Sequence, residues 1–186
     1  MSPLIVNGRT EKEIIKACLQ GDRQAQRDIF HMYAGKMMGV CLRYSRHRLE
    51  AEDILQDAFV KVFTHLHEFD YVGSFEGWVR RIIVNTAIRN NQKKSFTQEE
   101  IGLEHIREES EGPEVFSALS EEELIKLIAS LPEGYRMVFN LFAVEGYSHK
   151  EISELLHIEE STSRSQLMKA RRMLQDKVNE LYTIAV

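Results

Sequence analysis

Apolar residues recur at intervals of three and four along almost the whole chain, which is the period of an amphipathic helix. One segment shows this clearly, with Ile54, Leu55, Ala58, Phe59 and Val62. No run of alternating apolar and polar residues suggests a half-buried strand. The pattern therefore predicts an all-α protein.

Three predicted helices each begin after a Ser or Thr that is followed three positions later by Glu, the spacing of a capping box at a helix N-terminus. The pairs are Thr10 with Glu13, Ser120 with Glu123, and Ser148 with Glu151. Asp22 is a further cap candidate. We expect helices after each cap and also over about 49–66 and 75–91, with residues 69–74 as a loop because Asp, Gly and Ser cluster there.

The apolar period is lost over residues 96–118, where Glu, Ser, Gly and Pro accumulate. This change predicts two small helical domains, residues 1–95 and 119–186, joined by a flexible acidic linker over 96–118. We expect a cytoplasmic protein, because no stretch approaches the roughly 20 apolar residues of a membrane span and the first residues lack a signal-peptide pattern. The 2 cysteines are too few for a disulfide framework.

The net charge of −5 argues, taken alone, against a nucleic-acid partner. The charge is unevenly distributed, however. Residues 1–95 carry 15 Lys and Arg against 11 Asp and Glu, whereas residues 96–123 carry 1 Arg against 10 acids. One acidic segment thus hides a basic first half, and nucleic-acid binding stays open.

The C-terminal part has the pattern of a helix-turn-helix. A short helix over Ser148–Leu156 is followed by a tight connection over 157–160 and a longer, basic helix from Ser161. The polar face of that longer helix could contact base edges and phosphates, although an ordinary amphipathic helix with a solvated basic face is the alternative. The candidate DNA-binding residues are Thr162, Arg164, Ser165, Gln166, Met168, Lys169 and Arg172.

Two features of the first half suggest binding surfaces. The helix over 51–63 mixes acids with apolar and aromatic residues, which suits either partner docking or a solvated face on a core helix. Over residues 69–89, aromatic residues lie beside arginines. Aromatic rings stack on unpaired bases and arginines follow the phosphate backbone, but Trp78 alone is more often a core residue.

Three segments together resemble the bacterial RNA polymerase sigma-factor family. Residues 146–175, GYSHKEISELLHIEESTSRSQLMKARRMLQ, resemble the family's fourth region, which reads the upstream minus-35 promoter element. Residues 51–63, AEDILQDAFVKVF, resemble the second-region helix that docks on the polymerase β′ coiled coil. Residues 74–90, SFEGWVRRIIVNTAIRN, resemble the part that recognises and opens the minus-10 element.

The resemblance implies a promoter-directing subunit that binds core RNA polymerase, through the β′ coiled coil and the β flap, and promoter DNA. It leaves open whether an anti-sigma factor regulates the chain. The implied polymerase-binding residues are Asp53, Ile54, Gln56, Asp57, Phe59, Val60 and Phe63. The implied minus-10 residues are Phe69, Tyr71, Phe75, Trp78, Arg81, Asn85 and Arg89.

Long sigma factors carry an acidic N-terminal extension and a middle domain, and the lack of both here indicates the extracytoplasmic-function class. The chain departs from the family at three positions: His157, where Gly is frequent; Ser163, where a β-branched apolar residue is frequent; and Gln166, where Arg is frequent. We expect no catalytic residue, cofactor or metal site, because no phosphate loop, nucleophile elbow or metal-ligand motif occurs. A stand-alone helix-turn-helix regulator is the alternative function.

Overall fold

The computed structural model describes residues 5–95 and 120–184, so the predicted linker over 96–118 lies outside the described residues. The all-α prediction is confirmed. A one-turn 3-10 helix at Leu66–Glu68 follows the third helix, and a π-helical turn at Asn140–Val144 continues the sixth. The helices are α1 Glu11–Leu19, α2 Arg23–Tyr44, α3 Arg48–Thr64, α4 Phe75–Ser95, α5 Glu121–Ala129, α6 Glu133–Phe139, α7 His149–Leu156 and α8 Glu160–Ile184.

A short β-hairpin precedes α1 and was not predicted. Strand β1, Ile5–Val6, pairs antiparallel with strand β2, Arg9–Thr10. The turn residues Asn7 and Gly8 both have positive φ, 52° and 76°, as in a two-residue hairpin turn of type I′, which Asn-Gly adopts readily. The Asn-Gly pair between apolar and β-prone residues was the available signal. Two residues per strand are too few to establish an alternation pattern.

The predicted helix caps are present. At each capping box the Ser or Thr oxygen accepts a bond from the backbone N–H three residues on, and the Glu carboxylate accepts one from the cap N–H. Asp22 accepts bonds from the N–H groups of Gln24, at 2.8 Å, and Ala25, at 3.2 Å. These bonds satisfy N–H groups that the first turn of a helix leaves without a partner.

Contacts between Cα atoms divide the described chain into two compact units. The first holds the residues up to Leu42 together with Arg48–Ala87, and the second holds Arg43–His47 with the described residues from Ile88 onward. Within the second unit, the Asn140 side chain donates to the Arg43 carbonyl at 2.7 Å. The first unit ends at Ala87, within α4, and the domain bounds at residues 95 and 119 stay predictions.

The first unit has a core rich in aromatic residues. Phe30 packs edge-on against Phe59, with ring centroids 4.8 Å apart, and Tyr33 packs on Phe75 at 5.5 Å. Buried aliphatic residues of α1 to α4 fill the space around these rings. They include Ile14, Ile15, Ile29, Val40, Ile54, Val62, Val79 and Ile83.

The second unit has its core under α8, where Leu131, Ala170 and Leu174 pack together. Arg136 is fully buried beside them. Its Nη1 donates to the carbonyl oxygens of Ala129, at 3.2 Å, and Leu131, at 3.5 Å. Arg136 thus binds carbonyls that the C-terminus of α5 leaves without helical partners.

Candidate functional surfaces

The predicted polymerase-binding residues of α3 separate into two faces. Asp53, Gln56, Asp57 and Val60 lie three and four residues apart and are exposed, Val60 by 65%. Ile54 and Phe59, in contrast, are 0% and 3% exposed and belong to the core, and Phe63 is half-buried with its ring 6.0 Å from that of Phe59. A partner of this helix would therefore meet the acids and Val60, whereas Ile54 and Phe59 support the helix from behind.

Leu49 extends this face, although neither the sequence pattern nor the family resemblance singles it out. It lies one turn before Asp53 and is 71% exposed. The signal was a Leu at the start of α3 that falls outside the apolar stripe of the helix. A single exposed Leu is ordinary, but Leu49 and Val60 flank the two carboxylates of one helix face. We name Leu49, Asp53, Gln56, Asp57 and Val60 the α3 face.

Four of the predicted minus-10 residues form one aromatic cluster. Ring centroids are 4.9 Å apart for Phe69 and Tyr71, 5.5 Å for Phe69 and Trp78, and 5.7 Å for Phe75 and Trp78, the last pair stacked at 21°. Phe69 and Phe75 are 7% and 1% exposed, so they form the floor of the cluster. Tyr71, exposed by 43%, and the half-buried Trp78 are the rings that solvent can reach.

The loop that carries Tyr71 is built from local hydrogen bonds. Asp70 Oδ1 accepts from the Val72 N–H at 2.9 Å, and Ser74 Oγ accepts from the Gly77 N–H at 3.1 Å where α4 begins. Tyr71 itself has φ 62°. This left-handed conformation is unfavourable for a bulky side chain, so the surrounding contacts must hold it.

The remaining minus-10 candidates follow one another along α4. Arg81, Asn85 and Arg89 are four residues apart, so they lie on one side of the helix. Arg81 and Arg89 are exposed and Asn85 is half-buried. Asn85, whose amide can hydrogen-bond a base edge, therefore lies between two arginines that can contact phosphates.

The helix-turn-helix predicted from sequence is present. His157 directly follows the last residue of α7, and its φ of 55° and ψ of 45° are left-handed, the conformation in which Gly is favoured at a helix end. The His157 N–H donates to the Ser153 carbonyl, and so does that of Ile158, at 3.1 Å. The connection therefore keeps its geometry with His in place of Gly, at a modest conformational cost.

Ser163 is accommodated by a partner that the sequence alone did not reveal. The residue is fully buried, and its Oγ lies 2.9 Å from His149 Nδ1 at the start of α7. The His149 ring also stacks on Phe142, with centroids 4.5 Å apart. A hydroxyl at an inward position of α8 thus has a hydrogen-bond partner where an aliphatic residue would have only apolar contacts.

Stability of the helix-turn-helix should fall in mild acid. Burial lowers the pKa of His149 below its usual 6.5. The positive charges of Arg164 and Arg171 lower it further, and the negative charge of Glu160 partly opposes them. The unfolded chain then binds more protons than the folded chain, so stability is lost as pH falls through the ordinary His range. We expect faster amide exchange around Ala170 and Leu174 at about pH 5.5 than at about pH 7.5, after correction for the intrinsic pH dependence.

The control for this prediction is the double variant His149→Phe with Ser163→Val. It keeps the stacked ring and replaces both hydrogen-bonding partners by apolar groups, so that no buried hydroxyl loses its partner. The acid sensitivity should disappear in the double variant and persist in Ser163→Val alone. An equal acid response in all three proteins would contradict the assignment to His149.

The predicted DNA-binding residues of α8 differ in how freely they face solvent. Arg164, Ser165 and Arg172 are exposed, and Arg164 pairs with Glu160 at 2.7 Å. Thr162 and Met168 are half-buried. Ser165 and Arg172 lie on the side of α8 opposite its buried stripe, and Arg164 lies at the edge of that side.

Gln166 and Lys169 face the start of α6. A Cβ built on Gly134 would lie only 3.1 Å from Gln166 Nε2, so the amide packs against that backbone. Lys169 Nζ lies 6.0 Å from the centroid of the Tyr135 ring, within the range of a cation–π contact. Both side chains are half-buried. Neither contact was predicted, because the wheel of α8 alone does not show what lies beside it.

The described residues offer no group of three or more His, Cys, Asp or Glu placed to hold a metal ion. His65 and His67 lie in the turn that follows α3, and His65 Nδ1 lies 2.8 Å from Glu68 Oε1. Both cysteines are buried, and burial raises the pKa of the Cys18 thiol to about 11. Within the same described ranges, none of the helices is long and apolar enough to cross a membrane.

Two family models match this chain. Residues 29–97 match the family model described as Sigma-70 region 2, and residues 121–174 match Sigma-70, region 4. The chain is similar to the ECF RNA polymerase sigma-E factor of Haemophilus influenzae, with 28% identity over 92% of this chain and 97% of that one. It is also similar to the ECF RNA polymerase sigma factor SigW of Bacillus subtilis, with 29% identity over 91% and 97%.

Among solved structures, the chain resembles CnrH in complex with the cytosolic domain of CnrY, with 17% identity over 91% of this chain and 97% of that one and a TM-score of 0.48. It also resembles the sigma factor RpoE in complex with the anti-sigma factor NepR from Bartonella quintana, with 18% identity, 81% and 94% coverage and a TM-score of 0.48. The two family models together span most of the described chain, in the order that the motifs predicted. The chain belongs to the sigma-70 family, in its extracytoplasmic-function class.

Proposed function

We propose that this chain binds core RNA polymerase and directs it to particular promoters, where it recognises two DNA elements and opens the strands at one of them. The observation that carries the proposal is the coincidence of the two family matches with the surfaces described above. The α3 face and the aromatic cluster fall within residues 29–97, and the helix-turn-helix falls within 121–174. A stand-alone helix-turn-helix regulator is not favoured, because it would not need the first match.

The α3 face supports docking on the β′ coiled coil of the polymerase. Two exposed carboxylates, Asp53 and Asp57, lie between two exposed apolar side chains, Leu49 and Val60. Such a face can bury its apolar groups against a partner while its charges steer the encounter and pair with basic residues. We propose that the second unit completes the attachment by contacting the β flap.

The aromatic cluster supports strand opening at the minus-10 element. A base that leaves the duplex loses stacking energy and must recover it elsewhere. Tyr71 and Trp78 present reachable rings over a buried aromatic floor, and each stacked base can gain about 1–3 kcal/mol there. Arg81 and Arg89 would follow the displaced backbone, and Asn85 would hydrogen-bond an exposed base edge.

We also propose that the chain contributes no catalytic group and acts in the cytoplasm with the polymerase. Binding energy supplied by this chain would select the site and stabilise the open strands. Nucleotide addition would remain the work of the polymerase.

The test is transcription in vitro with purified core polymerase and a random promoter library. Added chain should produce transcripts from a defined subset of templates, each sharing two sequence elements at fixed spacing. Capture of core polymerase without promoter-dependent transcription would indicate a helical protein that binds the polymerase but does not select promoters. Binding of duplex DNA without capture of polymerase would indicate a stand-alone regulator.

Two residues of α8, Gln166 and Lys169, should contribute in different ways to recognition of the upstream promoter element. Gln can bond an adenine edge bidentately, whereas Lys mainly meets phosphate as a point charge. We expect Gln166→Ala to relax the preference at one position of the element, at a cost of about 1–3 kcal/mol on the best site. We expect Lys169→Ala to weaken binding to most sequences and to lower the salt slope by about one unit.

Gly134→Ala is the matched control for packing, because it presses on the Gln166 amide without removing it. Binding selections from randomised upstream elements at two salt concentrations give all three profiles. If Gln166→Ala and Gly134→Ala reduce binding alike on every sequence, Gln166 acts through its contact with α6 and does not read a base.

A further inference from the structure

Tyr71 is the most exposed ring of the aromatic cluster and the one with the least favourable backbone. It is 43% exposed and its φ is 62°. The neighbouring Gly73, with φ 83°, accepts such a conformation at little cost, but a bulky side chain does not. A strained residue persists only where its surroundings over-determine it. Two contacts are placed to hold this ring over the cluster.

One contact is internal to the cluster and the other comes from α1. The Tyr71 ring lies 4.9 Å from the Phe69 ring, which is buried and fixed. The second contact is with the ammonium of Lys12, which lies 5.5 Å from the centroid of the Tyr71 ring. Lys12 is itself an exposed residue of the first turn of α1, 59 positions away in the sequence.

The first turn of α1 touches the cluster at a second point. The Tyr33 hydroxyl donates to the carboxylate of Glu11, and the Tyr33 ring packs on Phe75 with centroids 5.5 Å apart. Two adjacent residues of α1 thus reach the cluster. Glu11 reaches the buried Phe75 ring through Tyr33, and Lys12 contacts the exposed Tyr71 ring directly. This turn lies before residue 29, where the match to Sigma-70 region 2 begins.

We propose that Lys12 is a positioning residue of the strand-opening site, which holds the Tyr71 ring across Phe69 so that an unpaired base finds a preformed stacking surface. The inference rests on the proposed function. A ring fixed in advance loses less conformational freedom when the base arrives. Lys12 acts on the base through Tyr71, because its ammonium interacts with the electron-rich face of that ring.

The alternative is a direct contact between Lys12 and a DNA phosphate, and the two roles differ in their dependence on Tyr71. A positioning role disappears when the ring is absent. A phosphate contact persists without the ring and contributes to the salt dependence of binding. A double-mutant cycle between the two residues therefore separates the two roles.

The experiment uses polymerase holoenzyme reconstituted with the full chain. The probe is a fork-junction DNA, unpaired over the minus-10 region, that carries a promoter selected by the wild-type holoenzyme from random sequence. The variants are Lys12→Met, Lys12→Arg, Tyr71→Leu, Trp78→Ala and the double variant Lys12→Met with Tyr71→Leu. Lys16→Met is the matched control, since Lys16 is an exposed residue one turn further along α1.

We expect Lys12→Met to bind the fork about three- to fivefold more weakly, Lys12→Arg to restore most of the loss, and Lys16→Met to bind like the wild type. Lys12→Met should add no further loss in the Tyr71→Leu background, and its salt slope should equal that of the wild type. Thermal unfolding of the free variants should be unchanged, since Lys12 is at the surface.

Two results would overturn the inference. One is a loss in Lys12→Met that persists without the Tyr71 ring and comes with a salt slope lower by about one unit, which would indicate a phosphate contact. The other is a Lys12→Met that behaves like Lys16→Met although Tyr71→Leu and Trp78→Ala both weaken fork binding. Failure of the stacking site itself would look different, because neither ring variant would then affect the fork.

Discussion

Removal of Trp78 and Asn85 together should leave promoter binding largely intact and slow strand opening by about 10- to 100-fold. The expected size follows from the loss of one stacking surface worth about 1–3 kcal/mol and of one hydrogen-bonding amide. Both groups would act only on unpaired bases, so the double variant Trp78→Ala with Asn85→Ala should still form closed complexes. The measurement is the permanganate reactivity of thymines in the minus-10 region.

A premelted template separates opening from later steps. The double variant should recover most of its activity on a promoter that already contains an unpaired bubble, because opening is then no longer required. Trp78 also stacks on Phe75 and contacts Phe69, so its loss will lower the stability of the first unit. Normal thymine reactivity in a correctly folded double variant would contradict the melting role.

The matched control is Phe30→Ala. Phe30 is a half-buried ring of the same unit that packs on Phe59 outside the aromatic cluster. Its removal should cost stability of a similar kind without removing a ring that a base can reach. With both proteins compared at equal occupancy of the polymerase, only the Trp78 and Asn85 variant should show the opening defect.

Reversal of both carboxylates of the α3 face should weaken binding to core polymerase by about 10- to 100-fold. Asp53→Arg with Asp57→Arg places two positive charges where the partner is expected to present basic residues, and like charges across an interface are strongly unfavourable. Both side chains are exposed, so the helix should keep its fold. Association kinetics with immobilised core polymerase, without DNA, give the affinity and show whether the association rate carries the effect.

Asp176→Arg with Glu180→Arg provides a control of equal charge change. These two acids are also exposed and four residues apart on one helix, but they lie near the C-terminal end of α8. The control should weaken binding to core polymerase much less than the α3 variant does, because any contact of the second unit with the β flap is separate from the α3 face. Equal weakening by both double variants would mean that net charge matters and that the α3 face is not the docking site.

Val60→Ala tests the apolar part of the same face. The side chain is 65% exposed, so its truncation should leave stability nearly unchanged. If Val60 is buried against the polymerase, the dissociation rate should rise while the association rate stays the same. This separation of rates distinguishes an anchor from a member of the charged rim.

The sequence by itself determined the helices and the order of the segments that resemble the family. Capping boxes at Thr10, Ser120 and Ser148 depend on residues three apart, and the apolar periods of α3 and α8 are equally local. The same local period also separates Asp53, Gln56, Asp57 and Val60 from the inward face of α3. The family resemblance applies to the whole segment 51–63 and does not distinguish its faces. The predicted polymerase-binding residues therefore include Ile54 and Phe59, although both are core residues.

The tertiary structure decided which distant side chains meet. Ser163 finds His149 at 2.9 Å, Gln166 packs against Gly134, and Lys12 reaches the ring of Tyr71. Each pair brings together residues from different helices or from a helix and a loop. Helical periodicity predicts which face of a helix a side chain lies on, but it does not predict which residue of another element lies beside that face. The left-handed backbone of Tyr71 was likewise beyond prediction, because such a conformation is held by surrounding contacts against the local preference of the residue.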